Sequence, residues 1–178
     1  KHLLEDIAAH PEKRVDELSI LTEAETTKLE EWALHSSAYP KNDSIAALFL
    51  DIAARHPKRI ALTTGNRQVS YEELARDAKS IASSLQDRNV APGDRIVICS
   101  LNGTHTIAAM LGILMVGGCC VPLDPTYPEE RISMLFDECG ARTALVTGES
   151  TSRIPKAWTG SLLQLDELSQ GNDSDVAP

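Results

Sequence analysis

Several familiar sequence signals are missing from this 178-residue chain, and each absence removes a class of function. Neither G-x-x-x-x-G-K-[ST] nor G-x-G-x-x-G occurs, so neither of these glycine-rich phosphate cradles can be placed on it. The longest apolar run, residues 107–116, falls short of the about 20 residues that cross a bilayer. We therefore expect a core helix there and no membrane partner. The first residues lack the apolar core of a secretory signal, so a cytoplasmic location is expected.

A basic surface of the kind that binds nucleic acid is also missing. The chain carries 17 basic and 26 acidic residues, with a net charge of -9. Residues 44–148 are nearly neutral, with 10 basic and 11 acidic residues, so the acidic excess lies in the flanks. Because binding to a phosphate backbone requires clustered lysine and arginine, nucleic acid is not an expected partner.

The four cysteines, Cys99, Cys119, Cys120 and Cys139, show no C-x-x-C spacing. Each lies in or beside apolar sequence, which favours buried free thiols in a reducing compartment over a zinc site. Cys119 and Cys120 are adjacent, so an extended backbone would direct them to opposite faces.

The first forty or so residues show helical patterns of their own. Apolar residues at positions 3, 4, 7 and 8, closed by Pro11, predict a short amphipathic helix. Thr22 and Glu25 have the spacing of a capping box, which predicts a second helix to about residue 35. The segment 36–43 is polar and contains a proline, so we expect a linker.

The next segment predicts a helix, a hairpin and a second helix. Residues 44–56 carry an apolar face, with Asn42 or Asp43 as the expected cap. Gly65 and Asn66 are typical of a tight hairpin turn. Ser70 and Glu73 form another capping box before an amphipathic helix, so Ser70 is interpreted as a cap rather than a nucleophile.

Strand and helix patterns then alternate. Strands are predicted at 95–100, 119–122 and 143–147, with helices at 104–116 and 128–139, and a further strand at 161–165. Pro128 is expected at the first helical position and Gly140 at the helix exit. The alternation predicts an α/β fold with a partial parallel sheet flanked by helices. Residues 171–178 are predicted to be open loop.

Few residues suggest chemistry. The loop 102–105 follows a predicted strand, where open α/β sheets often bind ligands, and it includes His105. A lone histidine in a first helical turn is usually only solvated. Gly117 and Gly118 follow a helix rather than precede one, which favours close packing over phosphate binding. Asp124, between prolines, is interpreted as a turn residue. The remaining carboxylates form adjacent pairs at 72–73, 129–130 and 137–138, interpreted as solvated helix surface.

Two motifs carry a family resemblance. VSYEEL at 69–74 and LMVGGCCVPLD at 114–124 resemble the first two core motifs of the adenylation domains of nonribosomal peptide synthetases, L-[ST]-Y-x-E-L and L-K-A-G-x-A-Y-V-P-[IL]-D. PGD at 92–94 and YPEERI at 127–132 resemble further recurring segments in the same order. The chain departs from the second motif at Met115 and Val116, where Lys-Ala is common, and at Cys119 and Cys120, where Ala-Tyr is common.

The resemblance implies a function for the whole enzyme. Such domains activate an amino acid with ATP and magnesium as an aminoacyl adenylate, then load it onto the phosphopantetheine thiol of a carrier protein. The family's ATP loop, substrate pocket and late lysine match no position here, so no catalytic, cofactor-binding or metal residue is carried over. The chain is therefore expected to be structural and inactive alone.

The resemblance also implies a division of the chain. Residues 1–20 would end a preceding condensation domain, residues 21–43 would be an inter-domain linker, and residues 44–178 would begin the adenylation domain. The condensation domain, the carrier protein and the rest of the adenylation domain are the implied partners. Two alternatives stay open, an inter-domain docking module and the first part of an acyl- or aryl-coenzyme A ligase.

Overall fold

The computed structural model describes residues 1–33, 43–101 and 103–169. The chain divides into two compact units, 1–42 and 43–178. Across the described ranges, no helix combines the length and the apolar character needed to span a membrane.

Among its described residues, the first unit contains two α-helices, α1 (His2–Ala9) and α2 (Glu23–Ala33), with a 3-10 turn at Val15–Glu17 between them. The predicted capping box at the start of α2 is confirmed. The Thr22 backbone N–H donates to Glu25 Oε2 at 2.9 Å, and the Glu25 N–H donates to Thr22 Oγ1 at 3.3 Å. The predicted end of this helix, near residue 35, and most of the predicted linker lie outside the described residues. None of residues 1–33 is buried.

The second unit begins with α3 (Ile45–Arg55) and a hairpin of β1 (Ile60–Thr64) and β2 (Arg67–Ser70). The hairpin prediction is confirmed. The predicted cap of α3 is wrong, because Ser44 holds that position and its Oγ accepts the Ala47 N–H at 3.1 Å. Ser44 directly precedes the first helical residue in extended backbone, which aims its hydroxyl at the free N–H groups of the first turn.

The helix after the hairpin, α4 (Tyr71–Gln86), starts at the predicted capping box. Ser70 Oγ accepts the Glu73 N–H at 3.2 Å, while Glu73 Oε2 accepts the Ser70 N–H at 2.7 Å. The Ser70 hydroxyl and the Ser70 backbone N–H therefore both take part in the capping box, and the interpretation of Ser70 as a cap is confirmed.

A four-stranded parallel sheet forms the centre of this unit, in the order β4-β3-β5-β6. Its strands and the two crossover helices are β3 (Arg95–Cys99), α5 (Thr104–Met115), β4 (Cys119–Leu123), α6 (Glu129–Cys139), β5 (Thr143–Val146) and β6 (Ser161–Gln164). The predicted α/β class with a parallel sheet is confirmed. A 3-10 turn at Gly148–Arg153 and a final helix α7 (Leu165–Ser169) were not predicted.

The core lies on both faces of this sheet. Alternate side chains of β3 face opposite ways, so Ile96 and Ile98 pack with α4 and α5. Val97 and Cys99 pack on the other face with α6. The burial of β3 on both faces confirms its prediction as a covered strand.

Two local expectations need correction. Pro128 is the N-cap of α6 and not its first residue, since its backbone is still extended. Only Cys99 among the four thiols is buried, and Cys119 is exposed. Cys119 is the first residue of β4 and faces away from Cys120, which packs against the core formed with α4 and α5.

Candidate functional site

A crevice lies at the carboxyl edge of the sheet, between the ends of β3 and β4. From β3 the chain passes into α5 on one face, whereas from the adjacent β4 it passes into α6 on the other face. The two connections diverge at the carboxyl ends of the strands, where open α/β sheets bind ligands. The strand order reverses next to this opening, between β3 and β5, so we call it the switch-point crevice. A cavity of about 270 Å³ lies there.

The β3 side of this switch-point crevice is shaped by two buried hydroxyls, Ser100 and Thr106. Their oxygen atoms are 2.7 Å apart, and Ser100 Oγ also lies 2.9 Å from the Leu101 carbonyl oxygen. Thr106 Oγ1 also lies 3.5 Å from the Leu101 carbonyl, so either hydroxyl can be the donor within the pair. The pair fastens the end of β3 to the first turn of α5.

The β4 side is formed by the turn after Leu123. Asp124 Oδ1 accepts the Thr126 backbone N–H at 2.8 Å and the Thr126 hydroxyl at 2.7 Å. The backbone hydrogen bond, followed by the hydroxyl bond, lowers the pKa of the Asp124 carboxyl, so it is ionised at neutral pH. The interpretation of Asp124 as a turn residue is confirmed, and the turn places its carboxylate beside the crevice.

Tyr127 completes that wall and is held from two directions. The guanidinium of Arg131, in the first turn of α6, lies 4.5 Å from the centre of the Tyr127 ring. The Tyr127 carbonyl accepts from Arg153, which also donates from Nε to the Pro125 carbonyl at 2.7 Å. The β4–α6 turn is thus attached to the connection that follows β5.

Of the loop 102–105, singled out from the sequence, the described residues 103–105 do not line the crevice. Gly103 is the N-cap of α5 and His105 lies in its first turn, while residue 102 is outside the described residues. Burial raises the pKa of Asp77 on α4, and the nearby Arg76 and His105 oppose that effect. Neither His105 nor Asp77 lines the crevice.

Gly117 and Gly118 serve packing, as predicted. A Cβ on Gly118 would lie 2.6 Å from Ile96 Cδ1, and Gly117 has a φ of 74°, which glycine adopts without strain. The carboxylate pairs at 72–73, 129–130 and 137–138 are exposed on helices, also as predicted. Sequence reasoning missed Ser100, Thr106 and Arg153. The hydroxyl pair joins a strand end to a helix start six positions later, and the partners of Arg153 lie 26 and 28 positions away.

A larger groove of about 520 Å³ lies between α3 and α4. Ala53, Ala75 and Lys79 are among its lining residues, and no strand end contributes to it. It therefore lacks the convergence of loops that marks the switch-point crevice. Within the described part of the chain, no three histidine, cysteine or acidic side chains cluster as metal ligands.

Comparison with known proteins gives consistent matches. The sequence profile described as AMP-binding enzyme matches residues 49–175. A linear gramicidin synthase of Brevibacillus parabrevis is 38% identical over 148 residues, which cover 83% of this chain. Tyrocidine synthase 3 of the same organism is 32% identical over 168 residues, or 94% of this chain. The chain spans only 3% of the length of each of these two relatives.

Solved structures agree with the sequence matches. A nonribosomal peptide synthetase bound to alpha-methyl-L-serine-AMP superposes with a TM-score of 0.73 and 26% identity, covering 84% of this chain and 17% of that one. The N-terminal subdomain of Klebsiella oxytoca NpsA gives a TM-score of 0.64 and 26% identity, covering 72% of this chain and 32% of that one.

Proposed function

Because the chain belongs to the AMP-binding enzyme family, as part of a nonribosomal peptide synthetase adenylation domain, we propose that it serves an enzyme that activates an amino acid. In that reaction the amino-acid carboxylate attacks ATP, forming an aminoacyl adenylate and releasing pyrophosphate. The aminoacyl group then passes to the phosphopantetheine thiol of a carrier protein. The bound alpha-methyl-L-serine-AMP of one similar structure supports an aminoacyl adenylate as the intermediate.

The contribution of this chain is to build one wall of the adenylation cleft. The observation that carries this role is the switch-point crevice, because it collects the carboxyl ends of β3 and β4 at one edge of the sheet. Its hydroxyl pair and its Asp124 turn are committed to internal hydrogen bonds, which suits a fixed wall.

ATP and magnesium belong to the proposed reaction, but the described residues do not fit either group by themselves. The sequence lacks both glycine-rich phosphate motifs, and the described side chains include no cluster of three metal ligands. We therefore assign the catalytic groups to other parts of the synthetase and derive no chemical step from residues of this chain.

Amino-acid-dependent exchange of pyrophosphate with ATP tests the proposal. The synthetase that contains this chain should catalyse exchange with one or a few amino acids, whereas the 178-residue chain alone should not. Robust exchange by the chain alone would contradict its role as a wall. Formation of a coenzyme A thioester from an acyl or aryl acid, without amino-acid exchange, would instead favour the acyl-coenzyme A ligase alternative.

Residues 1–20 are proposed to end a condensation domain, and residues 21–43 to link it to the adenylation domain in a cytoplasmic synthetase. No residue of 1–33 is buried, and Leu29 and Trp32 are exposed on α2, which favours a second role in docking neighbouring domains. Deleting residues 1–43 should weaken association with the condensation domain and leave the sheet folded. Unchanged association would exclude the docking role.

A further inference from the structure

The connection after β5 reaches across the carboxyl edge of the sheet through one arginine. We propose that Arg153 is a positioning residue, which fixes the turn 124–127 as a wall of the switch-point crevice and so tunes substrate binding. This inference rests on the proposed adenylation function. Nothing in the sequence around Arg153 predicts the role, because its partners lie 26 and 28 positions earlier.

Arg153 donates two hydrogen bonds to the same turn. Its Nε donates to the Pro125 carbonyl at 2.7 Å, and its Nη2 donates to the Tyr127 carbonyl. A guanidinium is planar and presents several donors at fixed angles, so two bonds define the position of the turn more closely than one. The ammonium of a lysine lacks this rigid fork and cannot reproduce both bonds in the same geometry.

Arg153 is itself held by the β5–β6 connection. Its 3-10 turn is closed by Thr151 Oγ1, which donates to the Thr147 carbonyl at 3.2 Å. Gln164 at the end of β6 donates to Thr151 Oγ1 at 2.9 Å, and the Gly148 N–H donates to Asp166 Oδ2 at 2.6 Å. The arginine therefore extends from a part of the molecule that is fixed to two strands.

Besides Arg153, the turn is supported by its own Asp124–Thr126 hydrogen bonds and by Arg131 over Tyr127, all of which come from the turn itself or from the start of α6. The turn follows β4, whose only neighbour in the described sheet is β3, whereas β5 lies on the far side of β3. Arg153 thus spans the end of β3 to reach the loop of an edge strand. Asp124 and Tyr127 within this turn line the crevice, so movement of the turn would change the shape of the wall.

Kinetics of pyrophosphate exchange in the synthetase that contains this chain test the inference. Arg153→Gln should raise the KM of one substrate, ATP or the amino acid, about tenfold and leave the other KM within about twofold, because a wall contacts one ligand. Arg153→Lys should give an intermediate increase. A lower folded fraction would reduce the apparent kcat and could not change one KM selectively.

Arg95→Gln is the matched control. Arg95 also donates to a distant backbone carbonyl, from Nη1 to the Cys139 oxygen at 2.6 Å, but at the amino edge of the sheet. Its loss should lower the Tm and leave both KM values within about twofold, since no crevice residue is attached to it. Comparing the KM values of the two variants shows whether the loss of any arginine-to-carbonyl hydrogen bond affects substrate binding, or only the loss of the one at the crevice.

The outcomes are distinguishable. Absence of exchange in the unaltered synthetase would overturn the proposed function. If the unaltered synthetase shows normal exchange and both KM values are unchanged in Arg153→Gln, the positioning role alone is overturned. The same holds if Arg95→Gln changes the KM values as much as Arg153→Gln does. If Arg153→Gln fails to fold, Arg153→Lys decides, and unchanged KM values in that variant reject the inference.

Discussion

Gly118 lies directly against Ile96, so that a Cβ on the glycine would stand 2.6 Å from the isoleucine Cδ1. The same atom would be 3.0 Å from Cγ2 of Ile113, and both isoleucines are fully buried. Gly118→Ala should therefore lower the free energy of unfolding by about 1–3 kcal/mol through overpacking. Urea denaturation of the chain measures this loss.

A double-mutant cycle tests the cause of that loss. Ile96→Val removes the nearest Cδ1 and alone should cost about 0.5–1.5 kcal/mol. Combined with Gly118→Ala, it should cost less than the sum of the two single changes, because the clash partner is gone. Strict additivity would show that the methyl group on Gly118 acts through some other contact.

Ser70 and Glu73 provide a second test of stability. Ser70→Ala removes the side chain that accepts the Glu73 N–H and should lower the free energy of unfolding by about 1 kcal/mol. Ser70→Thr keeps the acceptor for the Glu73 N–H and the hydroxyl that donates to Glu73 Oε2 at 2.8 Å, so it should be close to the unaltered chain in urea denaturation. An equal loss in both variants would mean that the cap contributes little.

The capping box also predicts a pH dependence. The Ser70 backbone N–H, and then the Ser70 hydroxyl, lower the pKa of Glu73 below its ordinary value of 4.5. A lowered folded-state pKa stabilises the fold fully above the ordinary value, and this contribution is lost as the pH falls through the lowered one. Glu73→Gln should thus be less stable than the unaltered chain near neutrality, with the difference narrowing in acid. A constant difference across the titration would reject this linkage.

The thiols should differ in reactivity. Cys119 is exposed, whereas Cys99 is fully buried, and burial raises its pKa to about 11. Since the thiolate is the reactive form, iodoacetamide at mildly alkaline pH should modify Cys119 first and Cys99 only after unfolding. Peptide mass spectrometry follows both sites. Equal rates in the native chain would contradict the exposure of Cys119 and the burial of Cys99.

Trp158 connects the β5–β6 segment to the core beneath α6. Its Nε1 donates to the Ala141 carbonyl at 2.8 Å, and its ring meets that of Phe136 edge-on at 5.3 Å. Trp158→Phe should cost about 1–3 kcal/mol, because it leaves a carbonyl near the core without its donor. Trp32→Phe is the matched control, since Trp32 is 66% exposed and should change the free energy by less than about 0.5 kcal/mol.

Local patterns predicted the elements well because the interactions that start and end them are local. Thr22 with Glu25 and Ser70 with Glu73 are three residues apart, so their capping boxes could be identified in the sequence. The prediction failed for the cap of α3, because Asn42, Asp43 and Ser44 are adjacent and all three are common capping residues. The backbone conformation shows that Ser44 is the cap. The prediction failed for Cys119 because exposure depends on which elements cover each face of the strand, which no local pattern encodes.

The candidate site was predicted only in outline. A loop after a buried strand pointed to the correct edge of the sheet, and the turn chemistry of Asp124 was predicted from its flanking prolines. The hydroxyl pair of Ser100 and Thr106 and the bridge from Arg153 were not predicted. These contacts join a strand end to a helix and one loop to another, so they exist only after the sheet has formed.

By itself, the sequence determined the alternation of strands and helices, the two capping boxes and the family motifs, because hydrophobic periodicity and capping act over a few residues. The tertiary structure alone decided the order β4-β3-β5-β6, the opposite departures of α5 and α6, and the crevice between them. The physical reason is that strand order and loop convergence depend on which surfaces bury one another, and burial joins residues far apart in the chain.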